Sequence, residues 1–165
     1  MSSEKLYHYE EWENNRKVTK TKGGRYTAKN IIGKSLEDVQ WSEGHWIAPN
    51  QTAYFIMDLR CKQTIDQLIL WNFSTKEFKV SLSTSKTGPW TEVLRASFNT
   101  KLIKYEAYDY DQSYDLETFN FNSTMAKYLK FELISCWDKC GLKYIRVRNS
   151  RGIYTTPLLE WGTLS

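Results

Sequence analysis

The stretch AYFIMDL, from Ala53 to Leu59, decides the fold. Its apolar residues Phe55, Met57 and Leu59 stand two positions apart, the spacing of a β-strand with one buried face. The runs EFKVSLS and KYLKFELIS repeat the alternation, and helical periodicity is nearly absent. The chain is therefore predicted to be all-β.

Further strand-like runs and the turns between them indicate the architecture. IDQLILW, WTEVLRASF, LETFNF and YIRVR bring the total to about seven or eight short strands, and SKTGPW supplies a Gly-Pro turn between two of them. This number and spacing are typical of an antiparallel two-sheet jelly-roll β-sandwich. The polar, aromatic run YEAYDYDQSYD is interpreted as a long connection between strands that can include one edge strand.

The length of 165 residues predicts a single domain over residues 1–165, long enough to bury a core without disulfides. The sandwich core is predicted over about residues 26–148. Residues 1–25 and 149–165 are interpreted as extensions that pack on the sandwich or dock to another molecule.

Composition excludes several classes of protein. Lys and Arg are mixed with Asp and Glu, so the net charge of +4 forms no dense basic stripe and nucleic acid is not an expected partner. No apolar run is long enough for a membrane span, and the start lacks the apolar segment of a secretion signal. These features predict a cytoplasmic protein if the chain is complete, and an extracellular one if it is a fragment of a secreted protein. Sequons at Asn50, Asn72 and Asn122 favour an extracellular origin.

Four segments, YFIMDLRCKQTIDQLIL, FKVSLSTSKTGPWTEV, AKYLKFELIS and GLKYIRV, follow one another over roughly residues 28–148. In this order they resemble the coagulation-factor type C (discoidin) domain family, which has a galactose-binding-like jelly roll. Asp58 and Leu59 match the family's corner between two strands, and Gly88 and Trp90 match its glycine turn. The resemblance implies a binding module whose ligand loops lie at one end of the sandwich. Many members have an Asp in a calcium-associated turn where NIIGK places Gly33, so neither calcium nor another cofactor is expected.

The loop WSEGHWIAPNQ is the first candidate for ligand binding. By the resemblance it forms part of the ligand rim, with Trp41, His45, Trp46 and Asn50 as binding residues. An aromatic ring offers apolar contact to the CH face of a sugar, while imidazole and amide groups bind hydroxyls. The alternative is that Trp41 or Trp46 fills the core.

The loop SCWDKCG is the second candidate, and by the resemblance it forms another wall of the same mouth. A disulfide between Cys136 and Cys140 would turn Trp137 and Asp138 outward if the two Cα atoms come within bridging range. The alternative is a pair of free thiols. Zinc is not expected, because no His or further Cys lies nearby to complete a tetrahedral site.

The run WNFSTKEF is the third candidate, predicted as a hairpin tip that carries Trp71 and Lys76. Such a tip can contact a sugar or an anionic membrane surface, and the alternative is an ordinary turn with one buried ring. Arg60, after the Asp-Leu corner, is predicted to bind acidic groups of the ligand. Arg146 and Arg148 can do the same from the closing strand, and the alternative for all three is an ordinary solvated arginine.

Residues for catalysis are not found in a recognisable pattern. The two histidines, His8 and His45, lie in no nucleophile motif. Asp109, Asp111 and Asp115 alternate as in a calcium loop but lack its central Gly and its distal Glu. The chain is therefore predicted not to be an enzyme.

The function predicted first is carbohydrate recognition, with a glycan or glycoprotein as partner. A shallow sugar site buries little surface and binds weakly, so oligomers or tandem copies would raise the avidity. One alternative is a protein-interaction or adhesion module in a larger assembly. A further alternative is anionic phospholipid binding at a membrane surface through the aromatic tips and scattered Lys.

Overall fold

The computed structural model describes residues 8–13, 16–17, 28–31, 46–48, 50–99 and 116–149. Its strands are β1 (His8–Glu13), β2 (Arg16–Lys17), β3 (Trp46–Ile47), β4 (Tyr54–Asn72), β5 (Thr75–Ser83), β6 (Thr91–Ser97), β7 (Leu116–Cys136) and β8 (Gly141–Arg148). One short 3-10 helix, Ala28–Ile31, accompanies them in this part of the chain. The all-β prediction is confirmed.

The strands β4 and β7 are unusually long because each continues through a bend. The first part of β4, residues 54–58, pairs with β1 and with the second part of β7. Its last part, residues 67–72, pairs with β8 and with the first part of β7. Register shifts interrupt the β4–β7 ladder in between, and such bulges bend and twist strands. Both strands therefore turn a corner and pass from one half of the sheet into the other.

All strands are connected by antiparallel hydrogen bonding into one sheet that has two halves. The larger half has the order β2-β1-β4-β7-β5-β6, and the smaller half is formed by β7, β4, β8 and β3. One core cluster takes residues from both halves, so their inner faces pack together as in a jelly-roll sandwich. The runs predicted as separate strands, AYFIMDL with IDQLILW and LETFNF with KYLKFELIS, are joined as β4 and β7, because hydrogen bonding resumes after each bulge.

Aromatic rings form the centre of this core. Phe131 on β7 stacks on Phe55 of β4, with ring centroids 5.4 Å apart, and on Phe78 of β5, with centroids 5.1 Å apart. Trp46 on β3 contacts Phe55 edge-on at 4.9 Å. Each of these four side chains has 0% exposure, so the predicted inward alternation of the strands is confirmed.

The strand β1 lies inside the segment predicted as an N-terminal extension. It pairs antiparallel with β4, with His8 opposite Asp58 and Trp12 opposite Tyr54. Part of residues 1–25 thus adds two strands, β1 and β2, to the larger half of the sheet. The predicted connection YEAYDYDQSYD and residues 150–165 lie outside the described residues.

We expect Phe131→Ala to lower the free energy of unfolding by about 3–5 kcal/mol, because it removes the ring shared by both stacks and leaves a cavity. Met125→Ala is the matched control on the same strand. Its side chain is 52% exposed, so we expect a change within about 0.5 kcal/mol. Urea denaturation of both variants measures the difference. Equal losses would contradict the central position given to Phe131.

Candidate functional site

The loops at one end of the sandwich are joined by backbone hydrogen bonds. Phe73 N–H donates to the carbonyl of Gly141 at 3.3 Å, and Trp137 N–H donates to the carbonyl of Ser74 at 3.0 Å. Ala48 N–H donates to the Cys140 carbonyl at 2.8 Å. We call residues 46–48, 50, 72–76 and 136–141 the loop end. The three predicted candidate loops thus each contribute described residues to one place.

A buried network around Thr75 holds the loop end together. Thr75 Oγ1 donates to the carbonyl of Gly141 at 2.8 Å and accepts from Gly141 N–H at 3.0 Å. Asn72 Nδ2 donates to the Thr75 carbonyl at 2.7 Å, and Asn72 Oδ1 accepts from Thr75 N–H at 3.0 Å. Buried polar groups satisfied in this way rigidify a structure. The turn from β4 to β5 is therefore fixed to the start of β8.

Gly141 is a glycine because another backbone comes close to it. It pairs with Ile47 of β3, and a Cβ at this position would collide with the carbonyl oxygen of Trp46. A side chain here would push β3 away from β8.

The loop between β7 and β8 is closed by a disulfide between Cys136 and Cys140, whose Cα atoms lie 5.3 Å apart. Of the two alternatives left by the sequence, the structure has the bridge. A ring this short contributes only about 2 kcal/mol on the chain-entropy model, so its main effect is on the loop itself. Asp138 is exposed, and Trp137 is half-buried with part of its surface packed against the core.

Trp46 belongs to the core rather than to a ligand rim. Its side chain is 0% exposed and packs edge-on against Phe55 and Phe131, at centroid distances of 4.9 and 6.2 Å. In this position the ring offers no face to a ligand, which corrects its prediction as a binding residue and supports the alternative. The predicted residues Trp41 and His45 lie outside the described part of the chain.

Asn50 is half-buried and shapes the turn that leads into β4. Its Oδ1 accepts hydrogen bonds from Thr52 N–H at 2.9 Å and from Thr52 Oγ1 at 2.7 Å. An Asn side chain that bonds the backbone two residues later forms an Asx turn. The carboxamide oxygen is thus engaged within the turn, and ligand binding by Asn50 stays a prediction.

Trp71 also lies elsewhere than predicted, because β4 continues to Asn72 and the hairpin tip is formed by residues 73 and 74. The ring is 5% exposed and packs with Tyr144 and Ile69 in a second cluster. Lys143 Nζ lies 4.8 Å from the ring centroid of Trp71. This packing of Trp71 corrects its prediction as an exposed tip residue.

Burial in the same cluster raises the pKa of Tyr144.

Arg60 lies at the opposite end of the strands. It follows the corner with a φ of 75°, and its N–H donates to Asp58 Oδ1 at 2.8 Å. Asp58 pairs with Tyr128, which is eight residues from Cys136 along β7, and eight strand residues span roughly 26 Å. Arg60 therefore cannot share a small ligand with Trp137, contrary to its prediction as a residue of the same rim.

The described residues contain no group of three or more His, Cys, Asp or Glu side chains placed to hold a metal ion. The run from Asp109 to Asp115 and Gly33 fall outside them. No helix in the described ranges is long and apolar enough to cross a membrane.

Sequence comparison found no relative: no protein-family model and no curated protein matches the chain. Solved structures do match. A CBM32 module of AlyQ in complex with 4,5-unsaturated mannuronic acid has a TM-score of 0.55 at 19% identity, over 73% of this chain and 84% of that one. Chitosan-binding module 1 from a Paenibacillus chitosanase/glucanase has a TM-score of 0.61 at 14% identity, over 87% and 96%. A CBM32 module of Clostridium perfringens in complex with GalNAc-β-1,3-galactose has 0.55 at 10%, over 88% and 96%.

Some matched structures are much longer. The chain spans only 26% of a Ruminococcus gnavus GH29 fucosidase, with a TM-score of 0.60 at 15% identity. At these identities the matches establish the fold alone, which is the jelly-roll fold of the CBM32 modules, and the resemblance to the discoidin family stays a prediction.

Sequence reasoning missed Thr75 and Gly141, the residues that connect the loops. Thr75 was seen only as part of a hairpin run, and Gly141 only as the residue after a Cys. Thr75 and Gly141 are hydrogen-bonded to each other but lie 66 residues apart in sequence, so no local pattern signals the contact.

We expect Thr75→Val to lower the free energy of unfolding by about 1–3 kcal/mol. Valine removes the acceptor of Gly141 N–H and leaves that buried donor unsatisfied, whereas the Gly141 carbonyl keeps its bond from Phe73. Thr75→Ser retains the hydroxyl and is the matched control. Denaturant unfolding measures both, and a Val variant as stable as the Ser variant would refute the network's role.

Proposed function

We propose that this chain is a non-catalytic carbohydrate-binding module that holds its ligand at the loop end. The observation that carries the proposal is the short disulfide-closed loop, which presents Trp137 and Asp138. Thr75 and Gly141 fix that loop to the neighbouring β4–β5 turn. A preformed surface binds a hydroxyl-rich ligand with a smaller loss of conformational entropy.

The side chains presented at the loop end have the chemistry that sugars require. Trp137 is half-buried, and its open part can pack on the CH face of a pyranose ring. Asp138 is an exposed acceptor for sugar hydroxyls, and Lys76 and Lys139 are exposed donors. Apolar contact and hydroxyl recognition are thus available at the same end of the sandwich.

The matched structures support the general class of ligand. Their names describe a module in complex with unsaturated mannuronic acid, a module in complex with GalNAc-β-1,3-galactose and a chitosan-binding module. These ligands differ in charge and in sugar type, and a shared fold does not carry function by itself. The proposal therefore extends to glycans as a class.

The predictions of a protein partner, of a phospholipid surface and of an oligomer stay predictions. The first two predict observations that a glycan-binding module does not. A protein-interaction module should capture a protein through the chain extensions, and a phospholipid-binding module should bind anionic vesicles less strongly as salt is raised. Either result, together with no glycan binding, would replace the proposed function.

We expect Trp137→Ala to abolish glycan binding on an array probed with the oligomerised chain, because the apolar contact to the sugar is lost. Asp138→Ala should weaken the same signals roughly tenfold or more, since a hydrogen bond to a charged group contributes about 1.5–3 kcal/mol. Because Trp137 also contacts the core, urea denaturation must show that both variants remain folded.

Arg60→Ala is the control for this experiment, since Arg60 is exposed at the opposite end of the strands. Its array signals should equal those of the unaltered chain. Loss of binding in the Arg60 variant, with binding kept in the Trp137 variant, would place the ligand at the end of the sandwich opposite the loop end and would contradict the proposal.

A further inference from the structure

The sequence contains three sequons for N-linked glycosylation, at Asn50, Asn72 and Asn122, and the proposed function uses none of them as acceptors. A sequon by itself is a weak signal, because short Asn-x-Ser/Thr matches arise by chance. The structure separates the three by exposure and by hydrogen bonding. An attached glycan is bulky and must extend into solvent.

Asn72 cannot carry a glycan in the folded chain. Its side chain is buried, at 5% exposure, and both ends of its carboxamide are bonded to the backbone of Thr75. A sugar on Nδ2 would break the bond to the Thr75 carbonyl and would have no route to solvent. The Asn72 sequon is therefore incompatible with the network of the loop end.

Asn50 is a poor acceptor for a related reason. It is half-buried, and its carboxamide oxygen accepts both the N–H and the hydroxyl of Thr52. This side chain is already committed to the turn before β4.

Asn122 has the opposite properties. It is exposed, and it lies where the pairing of β7 with β4 skips residues 121–123, between Thr124 opposite Ile65 and Asn120 opposite Gln67. The hydroxyl of Thr124, the third residue of the sequon, donates to the Asn122 carbonyl at 2.8 Å. The acceptor thus sits in a bulge of the strand, where a glycan would break no β4–β7 ladder bond.

A second observation is independent of the sequon. The loop between β7 and β8 carries the disulfide Cys136–Cys140, and such bonds form and persist in oxidising compartments. N-linked glycans are added in a compartment of this kind in eukaryotes. The disulfide and the glycosylation sequon therefore both fit a chain that passes through such an oxidising compartment.

We propose that Asn122 is the site of N-linked glycosylation in this chain, and that Asn50 and Asn72 remain unmodified. The donor is an oligosaccharide linked to a lipid diphosphate, and an oligosaccharyltransferase catalyses the transfer. Asn122 Nδ2 forms a bond to C1 of the first sugar as the bond from C1 to the diphosphate oxygen breaks. Nδ2 loses one proton, and the lipid diphosphate leaves.

The position of Asn122 keeps the glycan away from the proposed binding site. The bulge lies next to the bend of β4 and β7, at the end of the strands where Arg60 is found. Cys136, at the loop end, is fourteen residues further along β7. The modification is thus compatible with ligand binding at the loop end and does not depend on it.

The test expresses the full chain behind a cleavable secretion signal in eukaryotic cells and measures the intact mass before and after glycosidase treatment. Thr124→Ala destroys the Asn122 sequon, and Thr124→Ser is the matched control that retains it. Asn122→Gln is a second variant in case Thr124→Ala is not secreted. Ser74→Ala removes the Asn72 sequon, and since Ser74 Oγ has no hydrogen-bond partner among the described residues, the substitution breaks no hydrogen bond within them.

We expect one glycan on the secreted chain and mapping of that glycan to Asn122. Its mass should be lost in the Thr124→Ala and Asn122→Gln variants and kept in the Thr124→Ser and Ser74→Ala variants. A folded, secreted chain without any glycan would overturn the proposal. So would a glycan at Asn50 or Asn72, seen as a mass shift that persists in the Thr124→Ala variant.

Discussion

The structure depends on the stacking of Phe131 between Phe55 and Phe78. The three residues lie on the neighbouring strands β7, β4 and β5, and both ring pairs are nearly parallel, with centroids 5.4 and 5.1 Å apart. Phe55 lies directly opposite Phe131, and Phe78 is its diagonal neighbour because Val80 lies opposite Phe131. Neighbouring strands are about 4.8 Å apart, so aromatic rings in both positions on one face are within reach of each other. A slip of one residue would turn a ring to the other face. The stack therefore fixes the register of three strands at once.

This register determines where the strands end and so where the loops lie. With Val80 opposite Phe131, Thr75 comes opposite Cys136, and the β4–β5 turn meets the loop of the disulfide. Trp46 extends the aromatic core to β3, whose backbone packs against Gly141. The inward-facing side chains of these strands are thus committed to packing, while the loops at one end lie outside the strand ladders.

Alternation along single strands could be predicted from the sequence, and the structure confirms it in AYFIMDL, EFKVSLS and KYLKFELIS. What could not be predicted is which end of the sandwich each loop reaches. Arg60 comes after a strand-like run just as Lys76 comes after a hairpin tip, but Asp58 pairs with Tyr128, which lies roughly 26 Å from Cys136 along β7. Such distances follow from pairing between remote strands, which local pattern does not contain.

The same limitation applies to individual tryptophans. Sequence favours both burial and sugar contact for an aromatic residue in a loop, and only the packing separates the two. Trp46 and Trp71 are buried, whereas Trp137 is half-buried and lies in the loop that the Cys136–Cys140 disulfide closes. Trp137 is thus the tryptophan among these three on which the proposed function depends.

The most direct test of the account is a nuclear magnetic resonance titration of the 15N-labelled chain with the glycan that gives the strongest array signal. If the loop end is the binding site, the largest amide shifts fall in residues 73–76 and 136–141, with little change in residues 58–63 and 84–90. Shifts centred on the bend at 58–63 or on the β5–β6 turn at 84–90 would contradict it.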